Sequence, residues 1–274
     1  MRSGVEAFYD EHPINEDQIL AALRRAGRSL DALAPEDLYP HDQDHYGGLA
    51  AVDALAERAA LAAGVRVLDV CCGLGGPARY LARKYGAEVV GIDLNKGRAP
   101  AAARLTALVG LDARARFVRG DATQLPFADA SFDAAIAQEA FLHISDKKAL
   151  FAACRRVLRN GGRLAFTDWI AFPGLSAGDR GRLAAGIMAQ DIRTIDEYRA
   201  VLAEAGFQDV RAEDLSTAWR DILRERLEMF RGMQEDTVRL FGAERHARYI
   251  SAYEFFVERI GAGALGGGRF AARA

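Results

Sequence analysis

Apolar positions in this chain switch repeatedly between two periods. Ile19, Leu20, Leu23, Ala26, Leu30 and Leu33 fall on one helical face, so residues 16–34 read as an amphipathic helix. At 66–81 a short apolar, β-branched run breaks into glycines and then resumes helical spacing. That is the pattern of a buried strand, a tight turn and a helix start. The alternation then repeats. Strands are expected at 89–92, 115–119, 131–137, 163–167 and 207–213, with helices at 98–108, 147–158 and 195–205. Asn160-Gly161-Gly162 stops one helix and Gly206 another. Such alternation predicts an α/β fold with a doubly wound, mostly parallel sheet and helices on both faces. Residues 266–273 read as a seventh, last strand, antiparallel and at the sheet edge.

The regular unit is interrupted in two places and preceded by a further segment. Residues 1–48 precede it and form a helical cap in this reading, while residues 49–274 form the core. Tyr39-Pro-His-Asp-Gln-Asp-His-Tyr-Gly-Gly48 is expected to be a polar, aromatic loop leading into a helix at 49–62. Helical insertions are expected at 172–190 and 216–260. In the second, Trp219, Leu223, Leu227 and Phe230 share one stripe; Tyr249, Ile250, Tyr253, Phe256, Val257 and Ile260 share another. Core packing explains most of these residues; an active-site cap or a homodimer through the C-terminal helices are the other uses open to them.

Composition narrows the classes. The chain has 274 residues, and half of it is hydrophobic, enough for one elaborated domain. With 36 basic against 38 acidic residues the formal charge is −2, which argues against phosphate-neutralising nucleic-acid binding. The apolar runs are too short to span a bilayer. Residues 1–15 carry Glu6, Asp10 and Glu11 and no apolar signal core, so export is not expected. Three cysteines form no paired framework, and a reducing cytoplasm is the simplest compartment. The adjacent Cys71 and Cys72 read as small buried thiols.

The candidate chemistry begins at the glycine turn. Pro77 suits a first helical position, and Gly73 and Gly75 let the backbone approach a ligand, with free N–H groups at the helix start facing it. Two ligand classes fit. Gly73-x-Gly75-x-x-Ala78 with Asp93 downstream satisfies a relaxed dinucleotide fingerprint. The other register takes in Asp69, as Asp-x-Cys-x-Gly-x-Gly over residues 69–75. Asp93 ends the second strand, where a carboxylate can accept bonds from both ribose hydroxyls. Asp121 follows the third strand in Arg119-Gly-Asp-Ala-Thr123, placed to bond an adenine amino group. Each aspartate alone reads as a cap or turn former. Three in order, at strand carboxyl ends where open α/β sheets bind ligands, read as one site.

These motifs resemble those of class I S-adenosylmethionine-dependent methyltransferases, with Cys71 where that family normally has glycine. Asp42-Gln-Asp-His-Tyr-Gly-Gly48, Gln138-Glu-Ala-Phe-Leu-His143 and Arg163-Leu-Ala-Phe-Thr-Asp168 are similar to the small-molecule N-methyltransferases of the sarcosine/dimethylglycine and phosphoethanolamine type. Quinone and natural-product C- or O-methyltransferases share much of the pattern. The resemblance implies a Rossmann-like fold, S-adenosylmethionine as cofactor, S-adenosylhomocysteine as product, a small-molecule acceptor, and no metal, nucleic-acid or membrane partner. It implies that Cys71, Cys72 and Gly73 line the methionine moiety, with Asp69 also among the cofactor-binding residues. Asp93 and Leu94 would take the ribose, Asp121 and Ala122 the adenine, and Gln138 would lie near the sulfonium.

Methyl transfer asks the protein to align acceptor and donor and to exclude water. A base is needed only for an acceptor that arrives protonated. His143, His45 and Glu139 are the candidate catalytic groups. Tyr39, Gln43, Tyr46 and Trp169 are the candidate acceptor-binding residues, the aromatic ones through cation–π contact. A nicotinamide oxidoreductase is the rival enzyme; it would leave Asp69 and Gly120-Asp-Ala122 unused. A binding module that keeps the fold without turnover is the third class.

Overall fold

The computed structural model describes residues 4–274. Four helices come first: α1 (Gly4–Asp10), α2 (Glu16–Arg25), α3 (Pro35–Asp42) and α4 (Gly48–Arg58). The alternating unit follows as β1 (Arg66–Val70), α5 (Gly76–Tyr85), β2 (Glu88–Asp93), α6 (Arg98–Leu108), β3 (Ala115–Arg119), β4 (Phe132–Gln138), α7 (Lys147–Val157) and β5 (Leu158–Ala171). Then come α8 (Ala177–Ile187), α9 (Ile195–Glu204) and β6 (Gln208–Asp214). The chain ends with α10 (Ser216–Gly232), α11 (Gln234–Phe241), α12 (Ala243–Gly261) and β7 (Leu265–Arg273).

The seven strands form one sheet in the order β3-β2-β1-β4-β5-β7-β6, with β7 antiparallel to both neighbours. β1 pairs with β2 on one side and β4 on the other, so the winding reverses there. Alternate residues of each strand bury opposite faces. Leu68, Ala135 and Phe166 pack with Phe151 of α7 and Tyr198 of α9; Val67, Ile136 and Ala165 pack with Leu55 of α4 and Leu81 of α5. Ile19, Leu23 and Leu38 share a separate cluster with Leu74 and Leu105. Trp219 and Leu223 of α10 and Phe256 of α12 form another with Trp169 of β5. No helix among the described residues is long and apolar enough to cross a membrane.

The sequence expectations need four corrections. The helix expected over 16–34 stops at Arg25, because Gly27 (φ +71°) turns left-handed and the Gly27 and Arg28 amides close back on Arg24 and Leu23. Only a single 3₁₀ turn, Leu30–Ala32, follows. Residues 39–42 are not loop: α3 starts on Pro35 and continues through Pro40 to Asp42. The helix beginning at Lys147 passes directly into β5 at Leu158. Finally, β7 lies inside the sheet, and the outer strand is β6. Six of the nine β7 residues are buried, and Trp219 lies so close that a Cβ on Gly267 would come within 2.1 Å of its ring. β6 has no fully buried residue, the character of a solvated edge.

Candidate active site

At the carboxyl ends of β1, β2 and β4 the sheet opens into a cavity of about 1170 Å³. This is the switch point of the winding, where open α/β sheets bind ligands. Its floor is the turn from β1 to α5. Gly75 (φ +76°) has no room for a Cβ, which would meet the Phe117 ring at 2.6 Å. At Gly76 a Cβ would lie 2.2 Å from the Asp42 carbonyl oxygen, so the glycine lets the end of α3 press onto the start of α5. Behind that contact Arg79 and Asp42 form a fully buried ion pair at 2.8 Å, with Arg79 also donating to Thr106 Oγ1. Cys71 adopts φ +61°, a left-handed conformation that the usual glycine would accept more easily.

All nine residues expected at the cofactor line this one cavity: Asp69, Cys71, Cys72, Gly73, Asp93, Leu94, Asp121, Ala122 and Gln138. The Asp93 carboxylate accepts from the Gly73 amide and from the Asn95 amide, each at 2.9 Å, stitching the turn to the loop after β2. Burial pushes its pKa up, opposed by those two bonds. Asp121 accepts from the amide and hydroxyl of Thr123, both at 2.8 Å. Asp69 is buried, and its Oδ2 has no hydrogen-bond partner in the protein; nor do Oε1 and Nε2 of Gln138. Burial, with the Asp93 charge adding to it, raises the Asp69 carboxyl to about 8. Buried polar atoms left without partners are costly in a finished fold, so such atoms on a cavity wall fit a polar ligand. Burial pushes the thiols of Cys71 and Cys72 well up, which leaves them as inert lining.

Three titratable side chains also line the cavity: His143, His45 and Glu139. His143 donates from Nδ1 to the Met188 carbonyl at 3.0 Å, which fixes its tautomer. Its Nε2 therefore accepts from the Tyr9 hydroxyl at 2.9 Å. Burial lowers its pKa to about 4. His45 bonds the Gln43 amide oxygen through Nε2 at 2.8 Å and is likewise lowered to about 4 by burial. Glu139, at φ +44°, accepts from the Tyr46 amide (2.7 Å) and the Thr167 hydroxyl (2.6 Å); burial raises its carboxyl to about 7. Perturbed groups gathered in one cleft mark a candidate site. Among the described residues there is no group of three or more potential ligands that could hold a metal ion.

Two expected acceptor residues lie elsewhere. Tyr39 is not on the cavity wall: it packs edge-on against Tyr80, at 5.4 Å, between α3 and α5. Gln43 is spent on Asp42 and His45 and also lies off the wall. Tyr46 and Trp169 do line the cavity. Tyr46 packs against Trp219 and Trp169, however, and its ring already carries the protein's own Arg226 guanidinium at 4.6 Å. Tyr9, Asn95, Arg98 and Arg226 escaped the sequence reading. Asn95 and Arg98 follow directly on Asp93 but meet an N-terminal segment more than eighty positions away, Tyr9 and Arg226 are as far from the groups they meet, and only Tyr9, in an aromatic stretch beside Phe8, carried a faint signal.

Fold and cavity together define an α/β enzyme that binds a nucleoside-type ligand across the switch point of its sheet. Residues 68–166 match the family model described as a methyltransferase domain. The chain is 31% identical over 228 residues to phosphoethanolamine N-methyltransferase 1 of Zea mays, covering 82% of this chain and 44% of the relative. It therefore spans less than half the length of that relative. It is 35% identical to the 27-O-demethylrifamycin SV methyltransferase of Amycolatopsis mediterranei, covering 75% of this chain and 77% of the relative. Haemonchus contortus phosphoethanolamine N-methyltransferase 2, solved with phosphomonomethylethanolamine and S-adenosylhomocysteine, shares the fold. The TM-score is 0.80 at 22% identity, over 99% of this chain and 61% of that one. The protein belongs to the S-adenosylmethionine-dependent methyltransferases, which displaces the oxidoreductase alternative.

Proposed function

We propose that the protein transfers the methyl group of S-adenosylmethionine to an amine nitrogen of a small molecule that also carries an anionic group. One observation carries the cofactor assignment: Asp69, Asp93 and Asp121 line one cavity floored by a glycine turn, and buried atoms of Asp69 and Gln138 still lack partners. In this reading Asp69 receives the cofactor ammonium and Asp93 the ribose hydroxyls, beside Leu94. Asp121 receives the adenine amino group beside Ala122, while Cys71, Cys72 and Gly73 line the methionine chain. The bound cofactor supplies an electrophilic methyl on a sulfonium. The residues of this chain then have to hold the acceptor in line and keep water out.

The Tyr9–His143 pair supports a nitrogen acceptor. With its proton committed to His143, the Tyr9 oxygen presents lone pairs to an acceptor N–H. A proton leaving the acceptor passes to Tyr9 oxygen while Tyr9 gives its own to His143 Nε2. Burial lowers the His143 pKa to about 4, so the ring is neutral before transfer and, as a weak base, holds the relayed proton only in passing. His45 and Glu139 act on this pathway through the strap at residues 42–46 in our reading. Arg226, Arg245 and Arg248, from α10 and α12, line the same cavity with Tyr249 and Tyr253, a wall suited to a phosphate or carboxylate on the acceptor. The maize relative's name, which pairs an amine with a phosphate, agrees.

A second reading has its own observation. The cavity exceeds the roughly 300–1,000 Å³ of a site for one drug-sized ligand. The relative covered over 77% of its length is a rifamycin-type methyltransferase, so an oxygen or carbon acceptor on a bulky natural product is the alternative. A labelled-methyl screen decides between them. Phosphorylated or carboxylated amines should be labelled and neutral phenols and quinones not; the reverse outcome overturns the nitrogen assignment.

A further inference from the structure

α1 carries Tyr9, yet it is seven residues long and buries no residue fully. A helix that short does not persist in water without tertiary contacts. Its anchors come from the loop that follows Asp93. Asn95 is buried and uses its whole hydrogen-bonding capacity. Its Oδ1 accepts from the amides of Gly97 (2.8 Å) and Arg98 (3.1 Å), which shapes the start of α6. Its Nδ2 donates to the Glu6 carbonyl (3.1 Å) and to Asp10 Oδ1 (2.9 Å), the two ends of α1. Arg98, also buried, lies with its guanidinium 4.4 Å above the Tyr9 ring, donates to the Ile14 carbonyl at 3.3 Å and pairs with Asp44 at 3.5 Å.

We propose that Asn95 and Arg98 are positioning residues: they seat α1 on the Asp93 loop and so hold Tyr9 against His143. This rests on the cofactor reading above. The route is continuous. The Gly73 amide bonds Asp93, Asp93 bonds the Asn95 amide, the Asn95 side chain holds α1, and α1 presents Tyr9 at 2.9 Å from His143. Each Asp93 oxygen keeps lone pairs for a ribose hydroxyl. A ribose bound there restricts residues 93–98, and a restricted loop is a firmer seat for α1. Occupancy of the cofactor site thus favours assembly of the proton relay on the acceptor side, and, by reciprocity, a seated α1 tightens the cofactor.

The test uses S-adenosylhomocysteine with the full chain and the variant Asn95→Asp. That change keeps the Oδ1 acceptor for Gly97 and Arg98 and removes both donors to α1. Binding is measured by calorimetry and amide exchange by mass spectrometry over residues 4–14. In wild type the nucleoside should slow exchange there by roughly tenfold. In Asn95→Asp the slowing should fall below about threefold, and affinity should weaken by no more than the roughly tenfold coupling that is lost. Arg98→Lys, which keeps the charge and removes the planar contact with Tyr9, should lose the slowing in the same way. With ¹⁵N-histidine, the nucleoside should sharpen a hydrogen-bonded His143 Nε2 signal in wild type; neither Asn95→Asp nor Tyr9→Phe should show it. Full slowing in both loop variants, or affinity weakened well beyond tenfold, overturns the inference. Nucleoside binding with unchanged exchange at 4–14 in wild type overturns it alone. No binding by wild type overturns the cofactor reading as well.

Discussion

The unpartnered Asp69 carboxyl offers the sharpest test of the cofactor site. It is raised to about 8 by burial and by the Asp93 charge, so below that pH it carries a proton in the ligand-free protein. An ammonium arriving beside it favours the ionised form, so binding must expel that proton. At pH 6.5 a group of pKa about 8 is about 97% protonated, and one S-adenosylhomocysteine should release about one proton. The free nucleoside is itself largely ammonium at that pH, so its own ionisation contributes little. Affinity should consequently rise about tenfold per pH unit between 6 and 7 and level off above 8. The assay is calorimetry in two buffers of different ionisation enthalpy; the difference in observed heat counts protons. Asp69→Asn should release none and bind more weakly at pH 8 by about 1.5–3 kcal/mol, the worth of a hydrogen bond to a charged group. An unchanged proton count in Asp69→Asn, or none in wild type, would refute the assignment of Asp69 to the ammonium. The same shift sets a stability trend. A carboxyl raised on folding binds its proton more tightly in the native state, so ligand-free stability should decline as pH rises towards 8.

Three further outcomes follow from the geometry. Asp93→Ala should weaken nucleoside binding by about 1–3 kcal/mol, because the loop loses its stitch to Gly73 together with the ribose acceptors; calorimetric titration measures it. Arg79→Met should destabilise the fold by about 3–5 kcal/mol in denaturant titration by stranding the buried Asp42 charge, and adding Asp42→Asn should recover much of the loss. Gly76→Ala should lower both melting temperature and nucleoside affinity, since its Cβ has only 2.2 Å to the Asp42 carbonyl oxygen; unchanged values would show that α3 can move aside freely.

Local chemistry was enough for much of this protein. Period-two apolar runs and glycine or asparagine stops specify strands and helices through short-range contacts, and so β1 to β4, β6, α5, α6, α7 and α9 were legible within a few residues, while only the middle of β5 was. The Asp69, Asp93 and Asp121 positions were legible for the same reason: each ends a strand, and parallel strands deliver their carboxyl ends to one edge. Gly27 could have been read as a helix stop; the apolar periodicity ran past it and hid the signal. What only the tertiary structure decided depends on pairings between distant segments. Nothing in residues 265–273 alone specifies that β7 inserts between β5 and β6, where Gly267 lies under the Trp219 ring of α10. Tyr9 meets His143 across 134 positions and Arg98 meets Tyr9 across almost ninety, and no periodicity encodes which side chain a folded segment will face. The same limit misplaced Tyr39 and Gln43, whose residue types suited an acceptor but whose helix packs them against Tyr80 and Asp42 instead. Secondary structure is written in near neighbours. The acceptor side of the cavity is assembled from segments that meet only after the sheet has formed.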